Sequence, residues 1–242
     1  MTKFKLLKTL TNRIFNKEVK ISFTKNGEDL MLADLFSNKN TGCYIDIGCY
    51  DPVLHSNTFL FYLKGWRGIN IDANPDKIAL FNNKRREDVN INLAISENGG
   101  FVDYYEVEGD DSMNTINPDF VKNIINPLKR KIRKKTQIES KTLEELLDNH
   151  IDASQKVDFI SIDVEGAEMG ILKSNNWGKY NFSVILVETQ INMQNIDNND
   201  IIHYLKSKGY VLYSLVPLNK SIANIFFINE SLDWKNLSIP AL

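Results

Sequence analysis

No stretch of this 242-residue chain approaches the roughly 18 consecutive apolar residues of a membrane-spanning helix. The N-terminus has no uninterrupted apolar core followed by a small-residue cleavage site, so a secretory leader is not expected. Cysteine is scarce. The two residues, Cys43 and Cys49, flank a short apolar segment, a pattern that argues against a disulfide framework and for a reducing, cytoplasmic setting. Charge of one sign is missing in bulk: 29 basic residues stand against 31 acidic ones, for a net charge of -2, which gives no global sign of nucleic-acid binding. Glycine is thin where a dinucleotide would need it. That fingerprint takes three glycines so that backbone can approach a pyrophosphate at a helix N-terminus, whereas the segment Tyr44-Ile-Asp-Ile-Gly-Cys-Tyr-Asp-Pro52 holds one, Gly48.

What is present is an alternation. Hydrophobic residues make up 43% and charged residues 25% of the chain, ordinary values for a globular protein. Apolar strand patterns occur at 44–47, 68–71, 89–93, 157–162 and 183–187. Helical patterns fall at 28–36, 56–64, 75–83, 167–174 and 199–208. Thr142 and Glu145 form a capping box ahead of Leu143, Leu146 and Leu147. Two final strands, 210–216 and 222–228, are joined by a turn around Pro217-Leu218-Asn219-Lys220. Strand–helix alternation closing in a hairpin predicts an α/β fold. It is a seven-stranded, mostly parallel, Rossmann-like sheet with an antiparallel last strand and helices on both faces.

Residues 1–40 are read as an N-terminal helical extension packed on a domain that spans 41–242. Within the extension, residues 4–17 have a basic amphipathic helix pattern. The stretch 107–138 breaks the alternation with two Asn-Pro pairs and the basic run Lys129 to Lys135, and is read as an insertion or cap. The basic segments 1–20 and 129–135 set the expectation of peripheral contact with an anionic inner-membrane surface, or of guidance for an anionic glycolipid or glycan acceptor. Nucleic acid is not an expected partner, because the basic run lacks interleaved aromatics.

Three segments carry the chemistry. The turn after the first strand places Asp46 and Asp51 around Gly48, an unfavourable setting for a diphosphate. A phosphate-free cofactor with a cationic head, S-adenosylmethionine, fits better. Asp72 ends the second strand some twenty residues on, the position from which a carboxylate accepts from both ribose hydroxyls. Tyr50 and Ala73 flank these two turns, and Asn92 and Ala94, at the end of the third strand, are expected beside the adenine. The segment Asp158-Phe-Ile-Ser-Ile-Asp-Val-Glu-Gly-Ala-Glu168 ends a further strand at Asp163, which should face Asp46 and Asp72 across the carboxyl edge of a parallel sheet. Asp163 and Glu165 are the first candidates for the base, and His55 is a third because histidine titrates near neutral pH. A further expectation is that Asp163, Glu165 and Glu188 converge to hold Mg²⁺ together with a vicinal diol.

These segments, with Asn26-Gly-Glu-Asp-Leu30, Ser56-Asn-Thr58, Gly65-Trp-Arg-Gly-Ile-Asn-Ile-Asp72 and Ser112-Met-Asn-Thr115, resemble the FkbM family of S-adenosylmethionine-dependent methyltransferases over about residues 22–190. The resemblance implies a class I methyltransferase fold, with Asp46, Gly48 and Asp72 as cofactor contacts. It also implies methylation of a hydroxyl, often on a sugar or polyketide. The chain departs from the family pattern after the glycine, where Cys49-Tyr50 replaces a small residue. Two other readings stand beside it: a catalytically weak, cofactor-binding scaffold at a membrane or in a complex, and an NAD-dependent oxidoreductase.

Overall fold

The computed structural model describes residues 20–152 and 155–231, so the amphipathic pattern at 4–17 lies outside the described residues. A helix, α1 (Glu28–Leu35), precedes the first strand, β1 (Cys43–Ile47). There follow α2 (Phe59–Leu63), β2 (Arg67–Asp72), α3 (Pro75–Lys84), β3 (Val89–Asn92), β4 (Ala94–Ile95) and β5 (Gly100–Val107). Past a helical connection come β6 (Ile132–Lys141), α4 (Leu143–His150), β7 (Val157–Ile162), α5 (Glu168–Lys173), β8 (Phe182–Gln190), α6 (Asp200–Ser207), β9 (Tyr210–Pro217) and β10 (Ile222–Asn229).

Seven strands form one sheet in the order β3-β2-β1-β7-β8-β10-β9. Strands β3, β2, β1, β7 and β8 run parallel. β10 is antiparallel to both β8 and β9, as the closing hairpin predicts, but it lies between them, inside the sheet. The chain reverses its winding direction at β1, where β2 lies on one side and β7 on the other. That switch point opens a crevice at the carboxyl ends of the strands.

Strand side chains alternate between two apolar layers, as a period of two requires. Ile45, Ile47, Ile69, Ile71, Ile160 and Ile162 enter one layer with α4 and α5. Tyr44 and Phe159 enter the other with Phe61, Trp66 and the α1 side chains Leu32 and Leu35. Gly68 permits this second layer, because a Cβ there would sit 2.1 Å from the Tyr44 ring. α1 is held by its own acids: Asp29 accepts from Ser22 Oγ at 2.6 Å and Phe23 N at 2.8 Å, and Glu28 accepts from Asn224 Nδ2 at 2.9 Å.

The segment 107–138 is only partly irregular. It contains short helical turns at Asp111–Met113, Pro118–Phe120 and Val121–Ile125. From Ile132 onward it is a strand that pairs antiparallel with β5 and, through its far end, parallel with β4, in a separate three-stranded sheet. The second half of the basic run therefore lies on a strand, and much of the run faces acids: Arg133 and Lys134 pair with Glu106, Lys135 with Asp103, and Arg130 with Asp110. The capping box on α4 has both of its halves, and both cysteines are buried and free.

Candidate functional site

A cleft of about 550 Å³ opens at the switch point. Gly48 forms its floor with φ 77°, and its amide donates to Ile71 O at 2.9 Å. Any Cβ at this position would lie 1.7 Å from Asp163 O. The chain thus leaves β1 pressed against the end of β7, and only a residue without a side chain permits that approach.

Asp46 sits one strand residue before this turn, on the same sheet face as Tyr44 and level with Asn70 and Ser161. It is buried and accepts from Thr58 Oγ1 at 2.7 Å. Burial pushes its carboxyl up to about 6, partly opposed by the Thr58 hydroxyl and the Arg85 charge. Arg85 is fully buried. Its guanidinium donates to Asp88 at 2.9 Å, Tyr44 Oη at 2.6 Å and Thr58 Oγ1 at 3.0 Å. Arg85 thereby fixes the hydroxyl that holds Asp46.

Asp72 accepts from Tyr50 N at 3.0 Å on one oxygen and from Asn74 N at 2.8 Å on the other. Each oxygen keeps a lone pair for a further donor. Burial raises this carboxyl too, against those two backbone bonds. Tyr50, at φ 55°, reaches over the cleft mouth. Its hydroxyl donates to Asp111 at 3.2 Å, Lys77 Nζ lies 3.8 Å from its ring centroid, and Lys77 pairs with Asp111 at 2.8 Å. The 3₁₀ turn Asp111–Met113 is tied in this way to α3 and to the turn after β1.

At the other end of the cleft three carboxylates converge. Each of Asp163, Glu165 and Glu188 offers an oxygen, and these oxygens all lie within 4.8 Å of one another. Glu165 stands in the left-handed region at φ 55°, a strained conformation for a side-chain-bearing residue. Thr115 Oγ1 donates to its carbonyl at 2.8 Å. Burial pushes the Glu165 carboxyl up to about 8, with Glu188 and Glu168 adding to the effect and Lys25 opposing it. Burial and the Glu168 charge raise Glu188 to about 7. Asp163 is raised well above the usual carboxylate range by burial and by the neighbouring Glu188 and Glu165. Glu168 turns back on its own loop, accepting from Gly166 N at 2.9 Å and Val164 N at 3.3 Å. That is the helix-start role available to an acid in a first turn.

The cleft wall thus brings together Asp46, Gly48, Tyr50, His55, Asp72, Ala73, Ala94, Asp163 and Glu165. His55 is exposed in the loop before α2, at φ 59°. Asn92 does not line the cleft. Its amide donates to the carbonyls of Asp72 and Ala73 at 2.9 and 3.0 Å, so it props the β2 turn, and Leu93, Ala94 and Ile95 take the wall. Other wall residues carry a sequence signal only as part of a family-like segment, as Asn57, Asn114 and Thr115 do, or none. Asn57 donates to Ser161 Oγ at 3.0 Å, and Lys77 and Tyr104 read as an ordinary helix charge and an ordinary strand aromatic. Asn114 and Thr115 lie in the Ser112-Met-Asn-Thr115 segment, and the structure places that segment on the wall.

None of the curated proteins matches the chain. Among solved structures, the precorrin-6y C5,15-methyltransferase of Geobacter metallireducens aligns at 12% identity and a TM-score of 0.44, over 84% of this chain and 88% of its own. Fibrillarin of Aeropyrum pernix, with natively bound S-adenosyl-L-methionine, aligns at 11% identity and a TM-score of 0.44, over 82% and 74%. The methyltransferase FkbM domain model matches residues 46–212, from the acid of the first turn to within β9. With that match spanning most of its length, the chain belongs to the FkbM family of S-adenosylmethionine-dependent methyltransferases.

Proposed function

We propose that this methyltransferase acts on a hydroxyl of a sugar, glycan or similar polyhydroxylated metabolite, forming a methyl ether. The residues of the cleft fit the donor. Gly48 lets the turn after β1 pack against the end of β7 at the cleft wall, and Asp72 keeps one lone pair per oxygen for ribose hydroxyls. Asp46, whose carboxyl lies at about 6, supplies negative charge at neutral pH toward an ammonium and a sulfonium. When bound, S-adenosylmethionine supplies an electrophilic methyl group on a sulfonium leaving group. The protein then has to align an acceptor oxygen with that methyl and receive one proton.

The observation that carries the hydroxyl reading is the convergence of Asp163, Glu165 and Glu188 beside Gly48. A carboxyl raised to about 8 takes a proton readily once it is ionised, and we assign that role to Glu165. Asp163, more deeply placed, holds the donor end, and His55 lies on the solvent side of the same wall. The three carboxylates are also a hard oxygen donor set of the kind that Mg²⁺ takes. Such an ion would orient neighbouring hydroxyls and lower their affinity for protons. Turnover lost to a chelator and regained with Mg²⁺ supports this part of the proposal, and full turnover in chelator removes it.

The hydroxyl reading is tested by transfer of a labelled methyl group from S-adenosylmethionine to polysaccharide and oligosaccharide acceptors. The expected product is an alkali-stable O-methyl sugar recovered after hydrolysis. Label confined to alkali-labile esters or to amines contradicts the assignment.

A further inference from the structure

Beside the cofactor cleft lies a second groove of about 560 Å³, and the two share Glu165, Glu188 and Ile222 on their walls. We propose that this groove is the acceptor site, and that it holds an uncharged stretch of glycan through amide-to-hydroxyl hydrogen bonds while excluding phosphorylated, sulfated and carboxylated chains. The proposal rests on the reading of the first cleft as the S-adenosylmethionine site.

Position comes first. A hydroxyl lying in the groove reaches the shared wall at Glu165 and Glu188, so an acceptor bound there meets the methyl group without leaving its site. Its oxygen forms the new bond to the methyl carbon. The carbon–sulfur bond breaks, its electron pair returns to sulfur, and the hydroxyl proton passes to Glu165.

Composition comes second. The groove is lined by the turn carrying Asn117 and Asn123, by the end of β8 at Gln190, and by the loop into α6. Some of these amides are spent on local structure: Asn117 and Asn199 cap helical turns through Asp119 N at 2.8 Å and Ile202 N at 3.1 Å. Among the described residues, the side chains of Asn123, Gln190, Asn195 and Asn198 have no such engagement and still line the groove. A primary amide offers donors and an acceptor within one plane, the complement of a hydroxyl that both donates and accepts. Phe120, Met169, Ile201 and Ile222 supply apolar surface between the amides, which suits the C–H faces of sugar rings.

Charge comes third. Asp119, Glu168 and Asp200 join Glu165 and Glu188 on the walls, and among the described residues no lysine, arginine or histidine lines the groove. An anionic substituent would meet acidic walls with no cation among the described lining residues. The expectation from the basic segments, of an anionic acceptor guided to the crevice, predicts the opposite preference.

The test uses the full chain, saturated with S-adenosylhomocysteine, on an array of neutral, sulfated, phosphorylated and uronic-acid-containing oligosaccharides. Neutral glycans should be retained and anionic ones rejected. Asn195→Ala with Asn198→Ala should weaken glycan binding about tenfold or more, with affinity for S-adenosylhomocysteine unchanged. Asn195→Lys with Asn198→Lys should admit anionic glycans. Preference of the unaltered protein for anionic glycans, indifference of neutral-glycan binding to the alanine pair, or S-adenosylhomocysteine binding with no glycan retained each overturns the acceptor assignment. Failure to bind S-adenosylhomocysteine at all instead overturns the cofactor reading on which it rests.

Discussion

At the scale of single residues, function follows from what two positions exclude and what one position holds. Gly48 excludes a side chain, since a Cβ would collide with Asp163 O at 1.7 Å, and its φ of 77° is costly for any other residue. Gly48→Ala should cost about 1–3 kcal/mol of stability and displace the β1 turn. Thermal unfolding and S-adenosylhomocysteine titration should both record the loss. Asp46, beside the Gly48 turn, disfavours a pyrophosphate by its charge. Glu165 holds a proton near neutrality. Methyl transfer should therefore rise with pH to a plateau, with a midpoint near 8, and Glu165→Gln should remove about 10²–10⁴ of the rate along with that pH dependence. The same groups govern stability. Glu165 and Glu188 lie at about 8 and 7 when folded, above their ordinary value of 4.5. The folded protein therefore binds more protons than the unfolded chain between these values. Their contribution is complete below 4.5 and is lost as pH rises through 7 to 8, so the Tm of the unliganded protein should fall across that range and fall less in a Glu165→Gln, Glu188→Gln variant. Asp46, Gly48 and Asp72 are legible in the sequence because each ends an apolar run at a spacing that the parallel sheet makes meaningful. The strained backbone of Glu165 is not legible, because nothing in Val-Glu-Gly announces a positive φ at the glutamate.

At the scale of elements, the strands behave as their patterns imply, and the differences arise where charge hides a pattern. Ile132, Thr136, Ile138 and Ser140 keep a strand's alternation, but the cations between them give the stretch the look of a solvated loop. Their partners on β5, Asp103 and Glu106, become visible only once the register is known. Arg85 is the opposite case. In Asn-Asn-Lys-Arg-Arg-Glu-Asp it reads as an exposed helix end, yet it is wholly buried and organises Tyr44, Thr58 and Asp88 behind Asp46. Arg85→Leu would leave Asp88 buried without its counter-charge and should cost about 3–5 kcal/mol, measured by urea unfolding. Arg86→Leu, on the exposed neighbour, should change stability little. Asn92 shows how a strand-end residue can serve a site without touching its contents: by bonding the carbonyls of Asp72 and Ala73 it fixes the turn that presents the carboxylate.

At the scale of the whole molecule, the sheet order explains why the chemistry gathers where it does. Reversal of winding at β1 brings the ends of β1, β2, β7 and β8 to one edge, and those ends carry Asp46, Asp72, Asp163 and Glu188. The connection between β5 and β6 crosses above that edge and closes it through Tyr50, Lys77 and Asp111. No helix among the described residues is long and apolar enough to cross a membrane, and peripheral attachment through the basic segments remains a separate proposal. The sheet was readable from alternation, whereas the acceptor groove was not. Its amides come from two segments far apart in sequence, 117–123 and 190–199, and only the fold makes them neighbours.

The central claim is that the edge holds S-adenosylmethionine by way of Gly48 and Asp72. Calorimetric titration of the intact protein with S-adenosylhomocysteine tests it most directly. The account requires one site per chain, with affinity reduced about 10- to 100-fold by Asp72→Ala through loss of charge-assisted hydrogen bonds to the ribose. Absence of binding to the unaltered protein, or binding that Asp72→Ala leaves unchanged, would contradict it.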